Sequence, residues 1–328
     1  MQALFVGHQV PARLSSFDEV LLTYVTLART DDVAKSALQP LHAWSPGHGS
    51  NPSSEERDVD LPPQDPVWLP AKPQFAAWRN STCDALDVLH WEANGNVAKA
   101  YGSEGPIILH LHLVRLLLLC PYRDFISLAV SLQKRPANAR RDLPPASQLD
   151  ESVLRWLTMD DHKGRLSLVH AGAIFWYLRR YARGHFYEPF SIYLASLTIW
   201  VYGAFLPQVR GNLLRIKQMN GAAQAQKRQE SGSERPRPSE SSSEEDEDDL
   251  TPNNILLDRP CDDEIVQTFV RRGHTMQADM SGATDICLPS SQKFVLQEGI
   301  KILKCSQYRY VGQSLAYRAV LQCLLQFV

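Results

Sequence analysis

The sequence predicts an all-α protein, a globular bundle of many helices that is interrupted by a disordered acidic insertion. Hydrophobic residues make up 44% of the 328 residues, which is enough to bury a sizeable core. In the main segments the apolar residues recur at the three- and four-residue spacing of a helix face. No stretch shows a convincing apolar and polar alternation of a half-buried strand, which leaves only weak, short strands open, and no repeat of fixed period occurs.

Charge and cysteine usage narrow the classes of protein. The formal net charge is -2, from 34 basic and 36 acidic residues, so the chain has no excess of positive charge to attract a phosphate backbone. Six cysteines are spread widely, which favours reduced thiols in an intracellular compartment over a disulfide framework. They are Cys83, Cys120, Cys261, Cys287, Cys305 and Cys323. Near the N-terminus, Gly7, His8, Gln9 and Pro11 interrupt the apolar run that a secretory signal needs.

The first 80 residues predict a short helical segment over 1–42, followed by a linker over 43–80. The apolar residues of the first part, from Val20 to Leu27, have the spacing of one or two amphipathic helices. The linker is rich in Pro, Gly, Ser and charge, and can bury too little apolar surface to offset the entropy of ordering.

Residues 81–210 predict the helical core. Ser81 or Thr82 is placed to cap a first helix that ends at Asn94-Gly95. Pro106 stands at the first position of a second helix, where its missing N–H costs nothing, and Pro121 limits the far end. Apolar residues surround this second helix on all sides, so we expect it to be central.

Two further core helices are predicted beyond residue 165. In the first, Val169, Ala173 and Trp176 lie on one face, the arginines lie on the other, and Gly184 ends the helix. The second lies in the longest stretch without charge, and its apolar part, residues 190–206, is at the short limit for crossing a hydrocarbon layer of ~30 Å. We predict a buried core helix, because its serines and threonine would be unpaired in lipid; a membrane segment is the alternative.

Residues 211–253 predict a disordered insertion, and helices of the same domain resume over 254–328. From 218 onward the insertion has almost no large apolar residue and contains a dense Ser/acid tract. The acidic run is the candidate for contacts with partner proteins. It comprises Glu244, Glu245, Asp246, Glu247, Asp248 and Asp249. The last predicted helix carries an apolar stripe of Leu315, Ala319, Cys323, Leu324 and Phe327.

Searches for catalytic, cofactor and metal motifs find none, so the sequence predicts that the chain is not an enzyme. A zinc finger needs paired cysteine and histidine ligands, and no two cysteines are close. His110 and His112 point to nearly opposite sides of a helix, and His170 lies on an apolar face. We expect His110 and His112 to be partly buried and hydrogen-bonded, and His170 to be a core residue whose hydrogen bonds are satisfied. The sequence contains neither a G-x-S-x-G elbow nor a phosphate-binding glycine loop.

Five segments, taken in order, resemble the fungal-specific transcription factor domain, the middle homology region that follows zinc fingers or binuclear zinc clusters. They are ALDVLHWEANGN at 85–96, ILHLHLVRLLLLCPYRDF at 108–125, the whole of 166–200, DDEIVQTFVRRG at 262–273 and GATDIC at 282–287. The run from His170 to Phe190 is the most distinctive. The similarity is greatest to the zinc-finger branch and extends over most of 81–328.

The resemblance implies a nuclear regulatory domain that modulates transcription through protein or small-molecule contacts. Zinc and DNA would be bound by a separate N-terminal module, so no zinc ligand or base-contacting residue is carried over to this chain. The implied partners are the transcription machinery or regulatory proteins, and a homodimer is left open. The alternative is a helical membrane-associated protein anchored by residues 190–206.

Overall fold

The structure, a computed structural model, describes residues 2–7, 10, 14–38, 68–135, 149–230, 254–273, 275–304 and 324. Within these ranges the chain forms ten α-helices, a short 3-10 helix and two strands of three residues each. The predicted all-α class is therefore confirmed. The chain divides into two compact units, Met1–Leu118 and Leu119–Val328.

The described part of the first unit contains four α-helices. They are α1 (Gln2–Val6), α2 (Ser16–Leu38), α3 (Pro73–Lys99) and α4 (Pro106–Leu119), with the 3-10 helix Leu69–Ala71 ahead of α3. The predicted start of α4 at Pro106 is confirmed. The last residue of α4, Leu119, is assigned to the second unit.

Both predicted ends of α3 are wrong. The helix begins at Pro73, eight residues before Ser81, because Pro73 supplies the favoured first-turn proline. It also continues past Asn94-Gly95 to Lys99, since the space around Gly95 is open and a single glycine costs a helix only about 1 kcal/mol. The chain turns instead at Tyr101 and Gly102, whose φ angles are 55° and 83°.

Helix α2 buries polar residues and exposes apolar ones, which reverses the predicted pattern. Thr23, Thr26 and Thr30 are buried, whereas Leu21 and Val25 are 51% and 44% exposed. Each threonine hydroxyl donates to the carbonyl four residues earlier, at 2.8 to 3.1 Å. Because these hydroxyls are satisfied inside the helix, burying them carries little penalty.

The second unit packs its other elements around one long helix. They are α5 (Tyr122–Gln133), α6 (Glu151–Thr158), α7 (Asp161–Tyr181), α8 (Glu188–Glu230), α9 (Asp263–Arg272) and α10 (Pro289–Leu303). Helix α8 contacts α5, α6, α7 and α10. Strands β1 (Asn254–Leu256) and β2 (Gln277–Asp279) pair in parallel, with Ile255 opposite Ala278.

Helix α8 contains the apolar stretch that raised the membrane alternative. By length and composition, Glu188–Arg215 could cross a bilayer, but 94% of its most apolar window is buried inside the protein. Among the buried polar residues, Ser196 and Thr198 donate their hydroxyls to carbonyls four residues earlier, at 2.7 and 2.9 Å. This burial favours the predicted core helix over a membrane segment.

The loop between α7 and α8 is fixed by Glu188. This fully buried carboxylate accepts hydrogen bonds from the backbone N–H groups of Arg183 and Gly184, at 3.0 and 3.1 Å. Gly184 has a φ of 80°, but α7 already ends at Tyr181, so the predicted helix end at Gly184 lies three residues too far along the chain. The charge of Glu188 also lies at the N-terminus of α8, where the helix dipole favours it.

Two glycines allow backbone segments to approach the central helices closely. A Cβ atom at Gly172 in α7 would overlap the carbonyl oxygen of Leu257, and one at Gly203 in α8 would overlap that of Ile286. The segments on the far side of the insertion therefore pack directly against the backbones of α7 and α8.

A proline interrupts the hydrogen bonding of α8 close to this contact. Pro207 has no N–H, so the carbonyl of Gly203 lacks its usual helical donor. The Gln292 side chain of α10 donates to that carbonyl at 3.2 Å and to the carbonyl of Cys287 at 3.0 Å. A side-chain amide thus replaces the missing helical hydrogen bond.

Several predicted regions lie partly or wholly outside the described residues. Helix α8 extends to Glu230, so residues 211–230 of the predicted disordered insertion are helical. The candidate interaction residues 244–249, the predicted linker residues 43–67 and four residues of the predicted last stripe, Leu315, Ala319, Cys323 and Phe327, are not described. Leu324 is helical and fully buried.

Candidate functional site

A cavity of about 230 Å³ opens in the second unit between α8, α9 and the chain around β2. Helix α8 contributes Tyr202, Leu206 and Arg210, and α9 contributes Phe269. The opposite wall comes from residues 275–278 and from the turn 285–287. The cavity therefore combines residues from both sides of the insertion.

Arg165 of α7 positions the α9 side of the cavity. Its guanidinium is buried and donates twice to the carbonyl of Val270, from Nε at 3.0 Å and from Nη2 at 2.8 Å. Its Nη1 atom donates to Asp161 at 2.8 Å. Because this one side chain ties the last turn of α9 to α7, Phe269 and Gly273 are held in place at the cavity wall.

The turn that forms the opposite wall contains a strained residue, Asp285, whose φ is 24°. Residues other than glycine seldom adopt positive φ, although Asp and Asn tolerate it best. The Asp285 N–H donates to Asp279 Oδ1 at 2.7 Å, and Asp285 Oδ1 accepts the N–H of Cys287 at 2.9 Å. These two bonds hold the turn and place the Asp285 carboxylate at the cavity.

Among the described residues that line the cavity, Arg210 is the one cation and Asp285 the one anion. Within the described part of the chain, neither has an ion-pair partner within 4.0 Å, and they are not paired with each other. Both are half-buried. An unpaired charge that is partly removed from water is unfavourable, so a ligand that compensates it gains affinity.

Tyr202 and Cys287 are both neutral at the cavity wall at pH 7. Burial raises the pKa of the Tyr202 phenol to about 12, against the smaller opposing effect of the nearby Arg165 and Arg210 guanidinium groups. Burial, followed by the Asp285 carboxylate, also raises the pKa of the Cys287 thiol to about 12. A thiol in this state is a poor nucleophile, so the wall is suited to hydrogen bonding rather than covalent chemistry.

The three histidines singled out in the sequence are all buried. His110 shares a hydrogen bond of 2.9 Å with the Tyr24 hydroxyl, and the His112 ring meets the His90 ring edge-on at 4.9 Å. His170 is buried on α7. Across the described ranges, no three His, Cys, Asp or Glu side chains form a group that could hold a metal ion.

His90 belongs to a polar cluster inside the first unit. Arg115 of α4 is buried, and its Nη1 atom lies 3.2 Å from His90 Nδ1 while its Nη2 atom donates to Asp87. Burial and the Arg115 charge lower the pKa of His90 to about 4. The imidazole is therefore neutral at pH 7, with Nδ1 accepting from Arg115.

We expect this cluster to make the first unit sensitive to acid. Since the folded pKa of His90 lies below the ordinary value of about 6.5, its contribution is fully present above pH 6.5 and is lost as the pH falls towards 4, by up to about 3 kcal/mol. Urea unfolding of His90→Gln, which keeps an acceptor for Arg115 but does not titrate, should show a weaker loss of stability between pH 7 and pH 4.5. The exposed His185 provides the matched control, and His185→Gln should follow the wild-type profile. If the free energy of unfolding fell equally with pH in His90→Gln and in wild type, the acid sensitivity would not come from His90.

The sequence alone does not identify the cavity residues. The segments 262–273 and 282–287, which resemble the transcription factor domain, supply Phe269, Gly273, Asp285, Ile286 and Cys287 to the lining. One local signal is present, because Arg210 is the first charged residue after Glu188 and ends an uncharged stretch of α8 over 189–209. A single arginine at the end of a core helix does not indicate a binding site without its spatial neighbours.

Comparison of the chain with protein-family models, with curated proteins and with solved structures found no match. The interpretation of the cavity therefore depends on its own geometry and on the residues described above.

Proposed function

We propose that this chain is the regulatory domain of a nuclear transcription factor of the fungal zinc-finger type, which modulates transcription through small-molecule or protein contacts. The observation that carries the proposal is the location of the segments that resemble that domain. Residues 166–200 form most of α7 and the buried start of α8, while 262–273 and 282–287 supply walls of the cavity. A cavity with a few convergent polar groups in a helical unit suits a ligand-responsive domain.

The charge of the chain is consistent with DNA being bound by a different module. A net charge of -2 gives no general attraction to DNA, and the sequence has no paired zinc ligands. DNA contact in this proposal belongs to a separate zinc-finger module. The acidic run Glu244 to Asp249 would contact the transcription machinery or a regulatory protein.

A transcription reporter tests the proposal. The chain is fused to an unrelated DNA-binding domain in fungal cells, and reporter output is compared with that of the DNA-binding domain alone at equal protein level. We expect the fusion to change the output several-fold in either direction. A second fusion, with all six residues from Glu244 to Asp249 changed to Gln or Asn, should lose part of that change. An output equal to that of the DNA-binding domain alone would contradict the proposal.

The alternative, a membrane-associated protein anchored by residues 190–206, is supported by the length and composition of α8 but opposed by its burial. Cell fractionation without detergent separates the two. Recovery of the chain only in the membrane pellet would favour the alternative and overturn the regulatory proposal.

A further inference from the structure

The two charged side chains of the cavity are arranged for a ligand that carries both charges. Arg210 extends from α8, and Asp285 faces the same cavity from the turn before Cys287. Their charged groups are more than 4.0 Å apart and form no ion pair, either with each other or with another described residue. A ligand between them with one anionic and one cationic group would compensate both.

Simpler ions fit this arrangement less well. A carboxylate or inorganic anion would pair with Arg210 but would be repelled by Asp285. A protonated amine would pair with Asp285 but would be repelled by Arg210. Like charges in a site that is partly shielded from water are strongly unfavourable. The arrangement therefore selects a zwitterion over either monopolar ion.

The size of the cavity restricts the ligand further. Its volume of about 230 Å³ is smaller than the ~300–1,000 Å³ of pockets for drug-sized ligands, so it suits a small molecule better than a nucleotide or a larger cofactor. An α-amino acid with a short side chain has a suitable size.

The remaining lining matches the rest of such a molecule. The Tyr202 phenol, kept protonated by burial, and the Gln277 amide supply neutral hydrogen-bonding groups. Leu206, Phe269 and Ile286 supply apolar surface for a short side chain. The hydrogen bond that Asp285 Oδ1 accepts from the Cys287 N–H fixes the carboxylate before any ligand binds, which reduces the entropy cost of binding.

We propose that this cavity binds a small α-amino acid, with the ligand carboxylate at Arg210 and its ammonium group at Asp285. The role of that amino acid as an effector of transcription rests on the function proposed above, whereas the binding itself is a property of the purified chain.

Calorimetric titration of the purified full-length chain tests the binding. L-alanine and L-serine are the probes, and the monopolar analogues are L-alaninamide, which lacks the carboxylate, and L-lactate, which lacks the ammonium group. Each analogue loses one charge-assisted pair, so we expect it to bind at least about tenfold more weakly than L-alanine.

Two variants assign the charges. Arg210→Gln should bind L-alaninamide and L-alanine with equal affinity. Asp285→Asn should bind L-lactate and L-alanine with equal affinity. Asparagine is chosen because it tolerates the positive φ of this turn.

Arg215→Gln is the matched control, since Arg215 is exposed on the same helix. This variant should bind L-alanine with the affinity of wild type. Gln277 is an exposed residue of the cavity lining, and in Gln277→Trp the larger side chain would fill the cavity. This variant should not bind the ligand, while its midpoint of thermal unfolding should equal that of wild type.

The outcomes separate this inference from the proposed function. Failure of the folded wild-type chain to bind L-alanine or L-serine at millimolar concentration, or equal affinity for L-alanine and both analogues, would overturn the inference. The purified chain could bind L-alanine although its reporter fusion gives the same output as the DNA-binding domain by itself. That result would support the inference and would contradict only the regulatory function.

Discussion

Replacing Gly203 with alanine is expected to destabilise the second unit by about 3 kcal/mol. The new Cβ atom would overlap the backbone carbonyl of Ile286, and a backbone group cannot move aside as the end of a flexible side chain can. Helix α8 and the turn 285–287 would have to separate, with the cost of an overpacked core. Urea unfolding, followed by circular dichroism, measures the change in the free energy of unfolding.

The same helix provides the control for this substitution. A Cβ atom at Gly211 would meet no atom within 4 Å, so Gly211→Ala should stabilise the helix by about 0.5–1 kcal/mol through its better helix propensity. If Gly203→Ala proved as stable as Gly211→Ala, the close approach of α8 to the turn would be wrong.

Arg179→Met is expected to lower the free energy of unfolding about as much as Gly203→Ala, because it leaves the buried Asp258 carboxylate without its cation. Asp258 is fully buried and accepts hydrogen bonds from Arg179 and from the N–H of Ser281. Breaking a buried pair on one side costs about 3–5 kcal/mol, and the 23% exposure of Arg179 places the expected loss at the lower end. The free energy of unfolding in urea, measured at pH 7, gives the loss.

A double variant separates the charge from the shape of this pair. Arg179→Met combined with Asp258→Asn leaves no unpaired charge, so it should recover a large part of the loss. Arg180→Met is the control, since this exposed neighbour stacks on Trp176 and should cost less than about 1 kcal/mol. A double variant as unstable as Arg179→Met would contradict the ion-pair explanation.

The helical class and the start of α4 could be predicted because they depend on local chemistry. Pro106 begins α4 because a proline in the first turn of a helix loses no hydrogen bond. The buried face of α2 could not be predicted in this way. Hydropathy counts Thr23, Thr26 and Thr30 as polar, whereas each hydroxyl is satisfied by its own helix.

The cavity could not be predicted, because its parts are far apart in the sequence. Arg210 and Asp285 are brought to one cavity only because the backbone near Ile286 packs against Gly203. A glycine in a helix has many uses, and nothing in the sequence shows which backbone segment approaches it. Tertiary packing on both sides of a long insertion decided this part of the structure.

Pro207, which has no amide proton, lies close to the point where the longest helix leaves the core. Before it the helix is anchored by the core; after Val209 its side chains are half-buried or exposed as far as Arg215, and its backbone hydrogen bonds are protected by less packing. Amide hydrogens of the first part should exchange with solvent only when the whole unit unfolds, whereas those beyond Arg210 should exchange through local fraying. We therefore expect the part of α8 beyond Arg210 to open locally while the core remains folded.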